Sequence, residues 1–199
     1  MAHTRHSRNL VKLIQSAVLS KSKFTELFGA EMLFGAEIGV WKGHNAERLL
    51  QSFPGLILYA IDPWESGGDH VSMPTTTPEM FAEAKEEFLR LTNVFQGRCR
   101  MMPFTSKDAS EQIKDGSLDF VFIDGDHTYR SAAHDIDLWY PKVRPGGLVT
   151  GHDYFWKAPS GECAVKRAVD EFANANRYKV ETAPGDIWWF LKRMMPSCN

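Results

Sequence analysis

The chain has 199 residues, 43% of them hydrophobic and 24% charged, with a formal net charge of -2. That length supports one hydrophobic core and leaves little for a second, so residues 1–199 read as a single domain. The near-neutral charge argues against a nucleic-acid partner, and apolar runs far shorter than the ~20 residues of a membrane span argue against a membrane one.

Arg5, Arg8 and Lys12 precede a short apolar stretch broken at Lys21 and Lys23, which does not make a secretory signal. Leu10, Leu13, Ile14, Ala17 and Val18 fall at helical spacing. A helix is therefore predicted over residues 9–19, within an N-terminal helical cap covering 1–30. Leu33 to Gly39 reads as a buried strand, followed by a helix over His44 to Ser52. Leu56 to Ile61 is a second apolar run, ending at Asp62. Gly67, Gly68, Pro74, Pro78 and three threonines mark residues 65–78 as a loop, and 65–80 as a candidate lid. Phe81, Ala84, Phe88 and Leu91 place a helix behind it. Cys99 to Met102 reads as a short strand and Leu118 to Ile123 as a strong buried one. Leu148 to Thr150 is another, after a turn at Pro145-Gly146-Gly147. A helix over Cys163 to Ala173 leads to a closing pair, Tyr178–Thr182 and Ile187–Leu191.

Strands alternating with helices imply βαβ units and a parallel sheet covered on both faces. The fold class is α/β, doubly wound. Ligands of such sheets bind beyond the carboxyl ends of the strands, so the informative residues should follow the apolar runs. Cys99, Cys163 and Cys198 are odd in number and lack metal-type spacing. Free thiols in a reducing, cytoplasmic setting are expected.

The first strand ends in Glu37-Ile38-Gly39-Val40-Trp41-Lys42-Gly43. Glycine lets the backbone bend sharply and approach a ligand. This is not the G-x-G-x-x-G pattern that sets a pyrophosphate on the next helix. The acid before the glycines suits a cationic amino-acid ligand better than an anionic one. Asp62, at the end of the second strand, is placed to accept both hydroxyls of a ribose, and Trp64 could lie against an adenine. The alternative for each piece alone is an ordinary strand-to-helix turn.

Three segments together resemble class I S-adenosylmethionine-dependent methyltransferases: Ala36 to Gly43, Tyr59-Ala60-Ile61-Asp62-Pro63-Trp64, and Leu118 through Tyr154. Within that class, Phe122-Ile123-Asp124-Gly125-Asp126-His127-Thr128-Tyr129, Trp139 to Gly147 and Gly151-His152-Asp153-Tyr154 are similar to a bacterial branch near the catechol-type and macrolide-sugar O-methyltransferases. The resemblance implies a seven-stranded, mostly parallel Rossmann-like sheet with helices on both faces and an antiparallel C-terminal hairpin. It implies S-adenosylmethionine as cofactor, with Glu37, Gly39 and Gly43 at its methionine end and Asp62 on its ribose. Thr105 and Ser106 stand where such enzymes contact the adenine, with Asp108 as an alternative, and Asp124 closes the cofactor set.

Asp124, Asp126, His127, His152 and Asp153 should meet at the ends of the fourth and fifth strands, and two readings of them stand side by side. In the first, Asp124, His152 and Asp153 hold a divalent cation, magnesium or manganese, as the resemblance to metal-dependent O-methyltransferases implies. The histidine departs from their oxygen-only set and shifts preference away from magnesium. In the second, His127 or His152 is a general base. His127 stands where catechol-type enzymes carry a lysine base and is the preferred base on both readings, with Asp124 beside it. The bland alternative is that Asp126 and His127 cap the helix beginning near Thr128. Phe155 and Trp156 could line an aromatic acceptor pocket. Trp188 and Trp189 either fill the core or form a homodimer contact.

The expected activity is thus O-methylation of a small-molecule hydroxyl. A nicotinamide-dependent oxidoreductase is disfavoured by the missing G-x-G-x-x-G. A non-catalytic cofactor-binding module is disfavoured by the intact polar residues at both strand ends.

Overall fold

The structure, a computed structural model, describes residues 3–17, 32–65 and 76–194. Val18, Leu19, Cys198 and most of the candidate lid, residues 66–75, lie outside the described residues. The described elements are α1 (His3–Ala17), β1 (Leu33–Ile38), α2 (His44–Ser52), β2 (Leu56–Ile61), α3 (Pro78–Thr92), β3 (Cys99–Met102), α4 (Ser106–Glu111), β4 (Leu118–Ile123), α5 (Tyr129–Trp139), β5 (Val143–Gly151), α6 (Ala164–Ala175), β6 (Glu181–Ala183) and β7 (Ile187–Leu191).

The strands form one seven-stranded sheet in the order β3-β2-β1-β4-β5-β7-β6. β1 to β5 pair in parallel, and β7 runs antiparallel to β5 and to β6. The doubly wound sheet with an antiparallel closing hairpin is the expected architecture. Its strand order reverses between β1 and β4, which makes that gap the switch point where such sheets leave a crevice.

Two apolar layers sandwich the sheet. One joins Leu10 and Ile14 of α1 and Leu49 of α2 to Leu58 and Phe120. The other joins Ile136 and Trp139 of α5 and Val169 of α6 to Val121 and Val149. Burial on both faces is why the central strands read as mainly apolar runs, broken at Glu37 in β1 and Asp119 in β4.

The first helix begins at His3, six residues before the predicted start, and two strand boundaries differ as well. β5 starts at Val143 and passes through Pro145-Gly146-Gly147, where a turn was expected; the register against β4 shifts between Leu118 and Phe120. The three residues form an irregularity that the ladder absorbs, with Gly146 at φ +76°. A Cβ on Gly147 would lie 2.7 Å from the Asp119 carbonyl. The penultimate strand is Glu181–Ala183 instead of Tyr178–Thr182, because the Tyr178 N–H donates to Ala173 O at the end of α6 (2.8 Å) and its ring packs on Phe190 at 4.6 Å. Trp188 is 1% exposed and fills the core.

Candidate active site at the carboxyl edge of the sheet

The parallel ladder runs one residue past each strand. Asp62 N–H donates to Met102 O (3.3 Å), Gly39 N–H to Ile61 O (2.9 Å), Asp124 N–H to Ile38 O (2.8 Å) and His152 N–H to Ile123 O (3.0 Å). These bonds set the residues after β2, β1, β4 and β5 in one row across the switch point. The row contains Gly39, Asp62, Asp124 and His152, four of the residues singled out from the sequence.

Asp62 joins the loops after β1 and β2. Its two carboxylate oxygens accept the backbone N–H groups of Trp41 and Trp64, each at 2.8 Å. The Trp64 indole N–H donates to Trp41 O, also at 2.8 Å. Trp41 and Trp64 have φ of +52° and +47°, a region that non-glycine residues enter only when surrounding contacts hold them there. Asp62 provides those contacts. Trp64 is 5% exposed, with its ring 4.8 Å from Phe88.

The glycines of the first loop serve close packing of the chain as well as conformation. Gly39 has φ +83°, and a Cβ there would fall 2.1 Å from the Asp124 carbonyl. Gly43, at φ +79°, is the N-cap of α2 and abuts Phe88. Glu37, the last residue but one of β1, is 1% exposed. Burial pushes its carboxyl up to about 8, the hydrogen bond from Asn45 opposes this, and the charges of Asp124 and Asp62 add to it.

At the ends of β4 and β5 the polar residues form a chain. His127 Nε2 lies 2.8 Å from Asp153 Oδ2. His152 Nδ1 lies 2.9 Å from the same oxygen and 3.5 Å from Asp124 Oδ1. Asp153 occupies φ +58°, so its side chain reaches both imidazoles from a strained backbone. Burial pulls both imidazoles down in pKa. The hydrogen bond and charge of Asp153 outweigh this at His127, and those of Asp124 and Asp153 carry His152 up to about 10. Burial would raise Asp153, but the two imidazoles hold it well below the ordinary carboxylate range. Ligand atoms of Asp124, His152 and Asp153 come within 4.8 Å of one another, close enough to share one cation. His127 packs against Trp156 at 5.1 Å, and Phe155 is 52% exposed. From α1, the His6 ring lies 4.7 Å from that of His152.

The helix after β4 is not capped by Asp126 or His127. Thr128 is its N-cap and accepts from Ser131 N–H; Asp126 accepts the Thr128 hydroxyl at 2.9 Å. The capping alternative for His127 therefore fails, and its side chain is committed to Asp153.

Thr105 and Ser106 sit after β3 as expected, with their hydroxyls engaged inside the protein. Thr105 caps α4 and donates to Asp108 at 2.8 Å. Ser106 donates to Asp135 at 2.5 Å and accepts from the Trp139 indole. Asp135 was not singled out from the sequence. It is 6% exposed, and burial raises its carboxyl to about 6 against the Ser106 hydrogen bond. A Cβ on Gly125 would touch its Oδ2 at 3.0 Å, so it braces the loops after β3 and β4 from below. Asn45 was missed as well. The signal for both was available: each is a polar residue on the buried stripe of its helix, Asn45 beside Ala46 and Leu49, and Asp135 between Ala132 and Trp139.

Among the described residues no helix is long and apolar enough to cross a membrane. Cys99 and Cys163 are free thiols.

A family model described as a methyltransferase domain matches residues 36–154, which spans the row from β1 to the residue after Asp153. Protein R132 of Acanthamoeba polyphaga mimivirus, an uncharacterized protein, is 25% identical over 132 residues, 64% of this chain and 54% of its own length. The chain spans only 10% of another uncharacterized relative, y4gI of Sinorhizobium fredii. Among solved structures, the O-methyltransferase NovP is similar with a TM-score of 0.64 and 20% identity, over 94% of this chain and 80% of that one. The S-adenosylhomocysteine-bound methyltransferase PaMTH1 of Podospora anserina is similar with a TM-score of 0.58 and 13% identity, over 81% of this chain and 72% of that one. At these identities the two likenesses establish a common fold.

Proposed function

The chain belongs to the methyltransferase-domain family, and from that membership we propose that it transfers the methyl group of S-adenosylmethionine to a hydroxyl of a small-molecule acceptor. The observation that carries this reading is the single row of residues at the switch point. It sets Glu37, Asp62 and Asp124 beside the His127–Asp153–His152 chain.

The residues fit the cofactor on one feature in particular. Glu37 Oε2 and Asn45 Oδ1 are buried acceptors without a hydrogen-bond partner, as the methionine end of an amino-acid nucleoside would require. Glu37, Gly39 and Gly43 lie at that end. Asp62 stands at the ribose, with Trp64, Thr105 and Ser106 towards the adenine and Asp124 between the two halves. When bound, S-adenosylmethionine supplies a methyl group already activated by its sulfonium.

The protein's part is to align the acceptor, keep water out and take a proton. His127 is the base. Its Nε2 faces Asp153, which favours the tautomer with the proton on Nε2 and leaves Nδ1 as the basic nitrogen. Asp153 then stabilises the imidazolium that forms. Asp124, His152 and Asp153 are the residues that would hold a divalent cation, and their mixed nitrogen and oxygen donors suit manganese better than magnesium. A bound cation would lower the pKa of the acceptor hydroxyl.

Calorimetry with S-adenosylhomocysteine tests the reading directly. Heat of binding is expected, and its absence with both cofactor forms overturns the proposal. The metal component is separate: turnover insensitive to EDTA and to Asp153→Ala removes it.

A further inference from the structure

α1 buries one stripe, made of Leu10, Leu13, Ile14 and Ala17. His6 precedes Leu10 by about one helical turn and continues that stripe, at 8% exposed. A buried imidazole at the head of an apolar stripe needs a reason. Its ring lies 4.7 Å from that of His152, tilted by 46°. The Phe122 ring lies farther off, at 6.5 Å.

α1 is fixed in that position. Leu10 and Ile14 join the first apolar layer. Asn9 donates its amide to Pro184 O at 2.7 Å, in the turn between β6 and β7. In the same turn, a Cβ on Gly185 (φ +89°) would lie 3.2 Å from His6 Cα, so the glycine lets the helix backbone close in. The hairpin in turn grips the residues after β5. The Trp188 indole N–H donates to His152 O at 3.2 Å, and the Tyr154 N–H donates to Asp186 O at 3.1 Å. Both α1 and the hairpin lie outside residues 36–154, the segment matched by the methyltransferase-domain model.

The backbone of His152 is thus held on both sides, its N–H by Ile123 O and its carbonyl by Trp188. Its ring is a separate matter. The χ2 torsion of histidine has a broad, roughly two-fold well, so the ring takes its direction from its surroundings. Asp153 and Asp124 draw Nδ1 along one edge, and those contacts leave the ring able to tilt about them. A flat neighbour removes the tilt. Resting on the proposed function of this site, we infer that His6 is a positioning residue. Carried by α1, it holds the His152 imidazole in register with Asp124 and Asp153, so that an element outside the matched segment completes the ends of β4 and β5.

The test follows the His152 ring proton by proton NMR of the metal-free full chain. The Nδ1–H resonance, identified by its absence from His152→Gln, should be present in the wild type and lost to solvent exchange in His6→Ala. His6→Phe, which returns a flat ring without its nitrogens, should restore it. Should the alanine variant not fold, His6→Leu keeps the bulk without the ring and should lose the resonance likewise. Manganese alone gives a second readout, through the electron paramagnetic resonance signal of the free ion. His6→Ala should bind it about tenfold more weakly, the scale on which losing an orienting neighbour weakens a metal site, and His6→Phe should stay within about threefold of the wild type. A wild type without the resonance, or an alanine variant that keeps it, overturns the inference, since His6 would then only pack. A phenylalanine variant as impaired as the alanine one overturns it too, since the imidazole would then act through its nitrogens. A wild type that binds no manganese removes the cation from the proposed function, and the ring proton alone then decides the inference.

Discussion

At the ends of β1 and β2, Glu37, Asn45 and Asp62 are buried, while at the ends of β4 and β5, Asp124, His127, His152 and Asp153 are all half-buried. The first group is tied into the chain itself: Asp62 spends both oxygens on backbone amides, and Glu37 holds Asn45. The second group holds mainly to itself, through one carboxylate oxygen shared by two imidazoles. The two regions share one sheet edge and one ladder. In the proposed function they are a binding half and a reacting half: one is buried and tied to the backbone, the other half-buried and built of titratable groups. Substitutions should therefore separate affinity from rate according to the side on which they fall.

The largest separation is expected at His127. His127→Ala should lower turnover by about 10²- to 10⁴-fold, the usual contribution of a general base, measured with any acceptor that supports turnover. S-adenosylhomocysteine affinity should stay within about threefold, because His127 contacts Asp153 and Trp156 and none of the binding half. A parallel loss of affinity would abolish the division. Asp62→Ala is the mirror case. Removing the carboxylate releases the Trp41 and Trp64 amides from their left-handed backbone and takes away the proposed ribose acceptor. Affinity should fall by roughly 100-fold, about 2.7 kcal/mol. Calorimetry beside a thermal melt distinguishes this from unfolding, and a variant that binds normally but turns over slowly would move Asp62 to the reacting half.

The burial of Glu37 makes a prediction about pH. Its folded-state pKa, about 8, lies above the ordinary 4.5. Between those values the folded protein keeps the proton that the unfolded chain has lost, so stability falls as pH rises through that window and levels off above it. Glu37→Gln removes this slope. Relative to wild type, the variant should gain on the order of 2 kcal/mol between pH 5 and pH 8 without ligand. Denaturant unfolding at a series of pH values reads the gain directly. A difference that stays flat with pH would mean that Glu37 is charged and solvated in the folded protein.

Much of this architecture is legible in the sequence for a physical reason. β1, β2 and β4 are largely buried on both faces and appear as mainly apolar runs closed by an acid or a loop, and the acids at their ends form the proposed site; β3 is an edge strand with Arg100 exposed. β5 is only partly legible, because a Pro-Gly-Gly run reads as a turn when isolated, whereas in the sheet it forms an irregularity facing Asp119. The grouping of Asp124, His152 and Asp153 follows from two adjacent parallel strands ending level. What stays hidden is how each side chain is used. No spacing rule reveals that Asp153 holds both imidazoles, that Thr128 displaces Asp126 as a cap, or that Asn45 and Asp135 serve the site from within helix cores. The last two do break the apolar stripe of their helices, and that break is the one local trace they leave.

Asp135 tests whether bracing residues belong with the closed half. It is buried, accepts the Ser106 hydroxyl, and sits beneath Gly125, so it joins the loops after β3 and β4 without standing in the row itself. Burial raises its pKa from 3.8 to about 6. Across that window the unfolded chain has released its proton and the folded protein has not, so the acid becomes a liability as pH rises from 4 to 6, and the loss persists at neutral pH. Asp135→Asn keeps an acceptor for Ser106 and removes the charge. It should therefore match wild type near pH 4 and exceed it by about 1 kcal/mol at pH 7, with affinity and turnover changed by less than about threefold. Equal stability at both pH values would show that the charge is compensated within the fold. A selective loss of turnover would instead carry the reacting half down into α5 and erase the boundary between the two regions.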